Sequence, residues 1–263
     1  MTDDTMANEP QPEGMGMSSV PPPPVEPLSI TDKFIGILTE PSPTYENVRA
    51  AGARTSDWLV PVLITALILG VGMFLRFGNP TFMNTLAEKQ TEELAKQVDS
   101  GRMTQEQADQ QAQQFESMKG FIKISGTIGA AIGFIVVFFV LALLYWLAVR
   151  FGLKGDATFA LILSAAGLST YLSGIDQLVS LLLTFVTDKP FANLSPALFF
   201  DADIASMSTR FLMMLNPIAI WSYYVLGVGF EKVANISRVK GLAAAFAIWI
   251  LFSLLGALAG FGM

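Results

Sequence analysis

The sequence predicts an all-α, polytopic integral membrane helix bundle of about five transmembrane helices. Three observations predict it. Residues 58–75, 124–149, 157–175, 211–230 and 241–263 are long, mostly apolar runs without a single charge, and ~20 helical residues cross a ~30 Å hydrocarbon core. Inside lipid each backbone N–H and C=O must be paired within its own segment, so the runs are helices. Hydrophobic residues make up 52% of the 263-residue chain and charged residues only 14%, low for a water-soluble domain.

Composition also removes chemistry. Without cysteine there is no disulfide, thiolate metal site or thiol nucleophile, and without histidine the commonest general base and transition-metal ligand are missing. The net charge of −6 belongs mainly to the N-terminal tail and one long loop, so it describes solvated segments and gives no nucleic-acid signal. The first residues are acidic and rich in Pro and Met, unlike a cleavable signal peptide.

Residues 1–28 have the composition of a disordered, acidic, Pro-rich tail, and Pro21-Pro22-Pro23-Pro24 favours an extended conformation that is either solvated or docked in an aromatic groove. The membrane domain is 29–263. It opens at Ser29-Ile30-Thr31-Asp32, which has capping-box form, and Ile30, Phe34, Ile37 and Leu38 share one face of a short helix. Ser42-Pro43 opens a second short helix, with Pro at its first position, reaching Gly52. Two short amphipathic helices before the first span either lie in the membrane interface or pack on the end of the bundle.

Span one, 58–76, is bracketed by Asp57 and Arg76, with Trp58 at headgroup depth. A polar helical insert follows over 77–120. Met83, Leu86, Leu94 and Val98 form a sparse stripe that stops at Ser100-Gly101. Thr104 with Gln107 restarts a helix carrying Ala108, Ala112, Phe115 and Met118, which predicts an extramembrane helical hairpin or a bent helix. Span two, 124–149, ends at Tyr145, Trp146 and Arg150. The segment 157–187 is long for one span and is interrupted by Ser173-Gly174-Ile175-Asp176-Gln177, so it reads as one broken helix or two half-helices. A polar stretch with Asp188, Lys189, Asp201 and Asp203 leads to span 211–230, and the loop 231–240 turns into span 241–262.

Lys and Arg are dense in the short 150–156 and 231–240 loops and absent from the C-terminus. Short loops follow the positive-inside rule. Both are cytosolic when an even number of crossings separates them, which gives five crossings, a cytosolic N-terminus and an extracytosolic C-terminus.

Three strings carry a family resemblance. They are Phe34-Ile35-Gly36-Ile37-Leu38-Thr39-Glu40-Pro41 with Pro43-Thr44-Tyr45-Glu46-Asn47-Val48; the run from Phe159 through Ser164-Ala165-Ala166-Gly167 to Leu172; and Asn216-Pro217-Ile218-Ala219-Ile220-Trp221 with Gly227-Val228-Gly229-Phe230 and Val233-Ala234-Asn235. Together they resemble the Ypt/Rab-interacting-protein (Yip) membrane domain, in particular its bacterial branch, over about 30–262. The resemblance implies five spans, a cytosolic N-terminus and an adaptor or membrane-organising role. It carries over no GTPase-binding motif, and the long insert departs from the compact eukaryotic pattern.

Asp176 is the most informative single residue, because an ionisable group in a membrane segment is a functional candidate by default. It is either an interfacial cap or solvated group beside a Ser173-Gly174 turn, or a proton- or ion-coupling site. Gln177, Ser180 and Thr184 follow on one helical face and complete the candidate polar stripe. Asn216, beside Pro217 within a span, either repairs a proline kink or lines a polar cavity. Ser125, Gly129 and Gly133 form a small-residue ridge, as do Gly256 and Gly260; such ridges serve packing within the chain or homodimerisation. Asn193-Leu194-Ser195 and Asn235-Ile236-Ser237 match a short glycosylation pattern. An aspartyl protease needs two facing acids, and no other span carries one.

These features favour a non-enzymatic Yip-type scaffold or membrane organiser, multi-pass in a bacterial inner membrane, acting on membrane lipids and on an unidentified membrane or cytosolic protein, with homo-oligomerisation as a further option. No cofactor or nucleic acid is expected. The alternative is a small transporter or channel built around 157–187, and a membrane-embedded enzyme ranks third.

Overall fold

The computed structural model describes residues 25–200 and 206–258. The tetraproline and nearly all of the expected tail, Asp201, Asp203 and Gly260 lie outside them. The described residues form helices α1 (Ile30–Thr39), α2 (Pro41–Ala51), α3 (Thr55–Gly78), α4 (Pro80–Asp99), α5 (Gln105–Leu147), α6 (Phe159–Thr187), α7 (Met207–Met214), α8 (Pro217–Ala234) and α9 (Arg238–Leu258). Four helices are long and apolar enough to cross a membrane, or five when the bent pair α7–α8 counts as one.

α1 starts where the capping pattern places it, with the Ser29 hydroxyl accepting from the Asp32 N–H at 3.1 Å. α2 starts two residues before the expected proline, because Pro41 already stands at its first position and supplies the preset φ. The two helices press together at Gly36, where a Cβ would run into Thr44.

The insert is not a separate unit. α4 is capped by Asn79, whose side chain accepts from the Thr81 N–H at 2.8 Å. The chain turns through Gly101, at φ 71°, and Thr104 and Gln107 then cap each other. From there α5 runs unbroken for 43 residues, ~65 Å at 1.5 Å per residue. It carries the second arm of the insert straight into span two. Beyond it the chain widens into a π-helical turn, Ala148–Gly152, where a loop was expected at Arg150.

The expected interruption of 157–187 is absent. α6 is one continuous 29-residue helix, and Ile162–Leu172 are buried throughout. Gly174 serves a close approach rather than a turn, since a Cβ there would lie 3.0 Å from the Thr65 hydroxyl. That hydroxyl donates to the Thr170 carbonyl at 2.9 Å. At Gly167 a Cβ would collide with the Trp58 backbone and sit 3.1 Å from the Asp57 carbonyl. Pro61, inside α3, has no N–H to offer that carbonyl four residues back. Small residues on α6 thus let α3 settle against it.

The break lies elsewhere. Span 211–230, expected as one kinked helix, is two helices bent by 56°. Proline disfavours helical backbone in the residue before it, and Asn216 is extended at φ −80°, ψ 117°.

α6 is the central helix, packed on α3 and α8, while α9 crosses α8. Gly129 and Gly133 meet nothing within 4 Å, so this ridge does not pack within the chain; the close contact on α5 is at Gly126, against the Phe77 ring. Ser125 is exposed, and Gly256 is half-buried on α9.

Candidate functional site

Two polar assemblies occupy opposite ends of the bundle. At the end where α3 begins, α1 and α2 form a plate against α6 and α8. Tyr45 anchors it. Its ring is fully buried, a Cβ on Gly229 would come within 2.9 Å of it, and its hydroxyl donates to the Ala165 carbonyl at 3.1 Å. Burial pushes the phenol above its ordinary pKa, so it stays neutral.

Charge pairs ring this anchor. Arg49 holds Asp156 through two hydrogen bonds of 2.9 and 2.8 Å and also donates to the Val233 carbonyl at 2.7 Å. These bonds, reinforced by the guanidinium charge, keep the Asp156 carboxyl below its ordinary value. Lys232 pairs with Glu46 at 2.7 Å, and Arg238 with Glu231 at 2.6 Å. Lys33 and Asp57 form a buried pair at 2.6 Å, with side chains 4% and 1% exposed, tying α1 to the first turn of α3. A second Asp57 oxygen accepts from the Arg54 N–H at 3.0 Å. One end of the bundle therefore gathers α1–α2 with residues of both short basic loops.

The other end holds the residues singled out in the sequence. Asp176 is a half-buried residue in the body of α6, not a cap: Thr158 and Asp188 flank that helix. Asn216 Nδ2 donates to Asp176 Oδ1 at 2.7 Å, while Asn216 Oδ1 accepts from the Ile218 N–H at 3.0 Å. Asn216 thus caps α8 and ties the break between α7 and α8 to α6. One turn further along α6, Ser180 donates to the Ala192 carbonyl at 2.6 Å and accepts from Arg76 at 3.0 Å. Thr184 is buried and bonds back to the Ser180 carbonyl, a local satisfaction of its hydroxyl. Gln177 is half-buried on the same helix. The Asn residues of the two glycosylation patterns are used structurally: Asn193 accepts from Ser195 and donates to the Met213 carbonyl, and Asn235 ends α8 in the left-handed region at φ 53°.

Arg76, Lys33, Tyr45 and Arg49 do not stand out in the sequence. Lys33 had a signal, four residues before the buried Ile37 on the apolar face of α1. Arg76 had none beyond closing an apolar run. Among the described residues no group of three or more Asp or Glu is placed to hold a metal ion.

A Yip1 domain model matches residues 35–260. The membrane protein YknW of Bacillus subtilis (strain 168) is 29% identical over 235 residues, covering 86% of this chain and 90% of that protein. No solved structure matches. The family match takes in the α1–α2 plate, the central α6 and the broken α7–α8 pair alike, and the chain belongs to the Yip1 domain family.

Proposed function

We propose that this membrane protein acts as a non-enzymatic scaffold or organiser, with the α1–α2 plate as its partner-facing surface on the cytosolic side of a bacterial inner membrane. The observation that carries the reading is the fixing of α1–α2 onto the bundle by Tyr45 and by Arg49 with its partners Asp156 and Val233. A plate pinned at several points presents a rigid surface, which lowers the ordering cost of binding a partner. Its placement beside both basic loops supports a cytosolic N-terminus. Crosslinking in native membranes, followed by affinity purification of wild type and Tyr45→Ala, tests this. A partner captured by wild type and lost on undocking the plate supports it, and an identical set of captured proteins contradicts it.

A second reading rests on Asp176, a half-buried acid hydrogen-bonded to the break in a span, since discontinuous helices accompany transport sites. It centres on residues 215–217, because α6 itself is continuous. Loss of complementation by Asp176→Asn at normal protein abundance would favour it over the scaffold.

A further inference from the structure

Arg76 is a buried charge that meets no carboxylate among the described residues. Its residue is only 4% exposed. Its guanidinium donates from Nη2 to the neutral Ser180 hydroxyl, whose own proton is committed to the Ala192 carbonyl. Nε is sealed from solvent without an acceptor, and no carboxylate among the described residues pairs with it. A guanidinium does not shed its proton in proteins, so burial cannot neutralise it. Asp176 lies one helical turn before Ser180 on α6 and is engaged by Asn216. The C-terminal end of α3 favours a cation there, yet a helix end offers about half a charge and no acceptor for Nε.

Depth identifies the missing counter-charge. Arg76 stands 21 residues after Thr55, the first residue of α3, which is ~32 Å along the helix. That traverses a ~30 Å hydrocarbon core and reaches the phosphate layer of the leaflet opposite the α1–α2 plate. The Ser180 hydroxyl that holds the guanidinium also holds the irregular segment between α6 and the 3₁₀ turn Pro196–Phe199, through the Ala192 carbonyl. A loop of this kind yields more readily than a packed helix.

We propose that Arg76 is the anchor of a phosphate-binding site at this end of the bundle, with Ser180 holding the guanidinium in register. Its planar fork matches two oxygens of a phosphate group. A lipid phosphodiester in the adjoining leaflet and free inorganic phosphate share this chemistry, and the test separates them. The site is independent of the partner-facing role of α1–α2.

The full-length protein in neutral detergent is unfolded thermally, with tryptophan fluorescence as the readout. Three ligands are titrated at constant ionic strength: inorganic phosphate, phosphatidylglycerol, and diacylglycerol with the same acyl chains but no phosphate. A rise in Tm with phosphatidylglycerol alone, weakened about 10- to 100-fold in Arg76→Gln, assigns the site to lipid. A saturable rise with inorganic phosphate, weakened in the same way, assigns it to the free ion. Arg76→Lys keeps the charge without the fork and should bind more weakly than wild type, which preserves the test if Arg76→Gln does not fold. Lys123→Gln, altering a lysine over the Phe74 ring on the α5 side of α3, should leave the affinity unchanged. No rise specific to the phosphate-bearing ligands, or an equal rise in wild type and both Arg76 variants, overturns the proposal.

Discussion

Asn216 spends one amide on two helices: its nitrogen reaches Asp176 on α6 at 2.7 Å and its oxygen receives the Ile218 N–H at 3.0 Å. The same residue stands at the break in the span, caps its second piece and fixes it to the central helix.

Asp176→Ala should therefore destabilise the bundle by about 1–3 kcal/mol, because it leaves the buried Asn216 amide without its acceptor. Asp176→Asn, which keeps an oxygen acceptor, should cost less, and Asn216→Ala should cost at least the ~1 kcal/mol of a lost cap. Thermal unfolding of the purified variants measures the order. Equal stability of Asp176→Ala and wild type would show that the pair does not hold the break.

The glycines divide into two groups by what a methyl would meet. Gly167→Ala drives a Cβ into the Trp58 backbone and Gly229→Ala drives one against the Tyr45 ring, and each should cost about 1–3 kcal/mol by overpacking. Gly129→Ala and Gly133→Ala meet nothing; in a monomer they should be neutral or slightly stabilising through helix propensity. A loss at Gly129 comparable with that at Gly167 would mean that a second copy packs on this ridge.

Tyr45→Ala should cost about 3–5 kcal/mol, as for other large buried aromatic side chains, and Tyr45→Phe about 1 kcal/mol for the bond to Ala165. The Arg49–Asp156 pair is half-exposed and worth less, below about 1 kcal/mol. Its sign with pH is fixed, because the folded carboxyl titrates below the ordinary 3.8. The pair's contribution is present above that value and is lost as pH falls through the lower folded value. Wild type and Asp156→Asn should accordingly differ in Tm at neutral pH and converge well below pH 3.8.

The proposed topology places the C-terminus outside and α4 with the start of α5 in water beyond the membrane. A reporter fused after Met263 should be active outside the cytosol. Single cysteines at Glu92 or Glu106, introduced into a chain that has none, should react with an impermeant thiol reagent applied to intact cells. A cytosolic reporter, or protection of both cysteines, would contradict this placement.

Charge-free length alone revealed the membrane helices, because a bilayer demands it. The capping residues Ser29 and Thr104 were equally legible, since a cap is a local hydrogen bond. What failed was the meaning of glycine and proline. Ser173-Gly174 looks like a turn in isolation, but Thr65 on α3 turns Gly174 into a packing notch, and the sequence does not show which helix lies opposite. Asn216-Pro217 looks like a kink, yet the extended backbone of Asn216 makes it a full break, held to α6 by the bond to Asp176 forty residues away. Of the site residues, Asp176, Ser180 and Asn216 were visible as polar groups in apolar surroundings. Arg76 was not, because a charge at the edge of a span reads as solvated until tertiary contacts bury it.

The docking of the α1–α2 plate is tested most directly by Glu46→Cys with Lys232→Cys, which replaces a 2.7 Å ion pair between α2 and α8. In native membranes, mild oxidation or a short thiol crosslinker should join the two cysteines within one chain, at the monomer's mass and with a reductant-sensitive shift in mobility. Two cysteines that each react freely with a thiol label yet never join would show that the plate is not seated on the bundle.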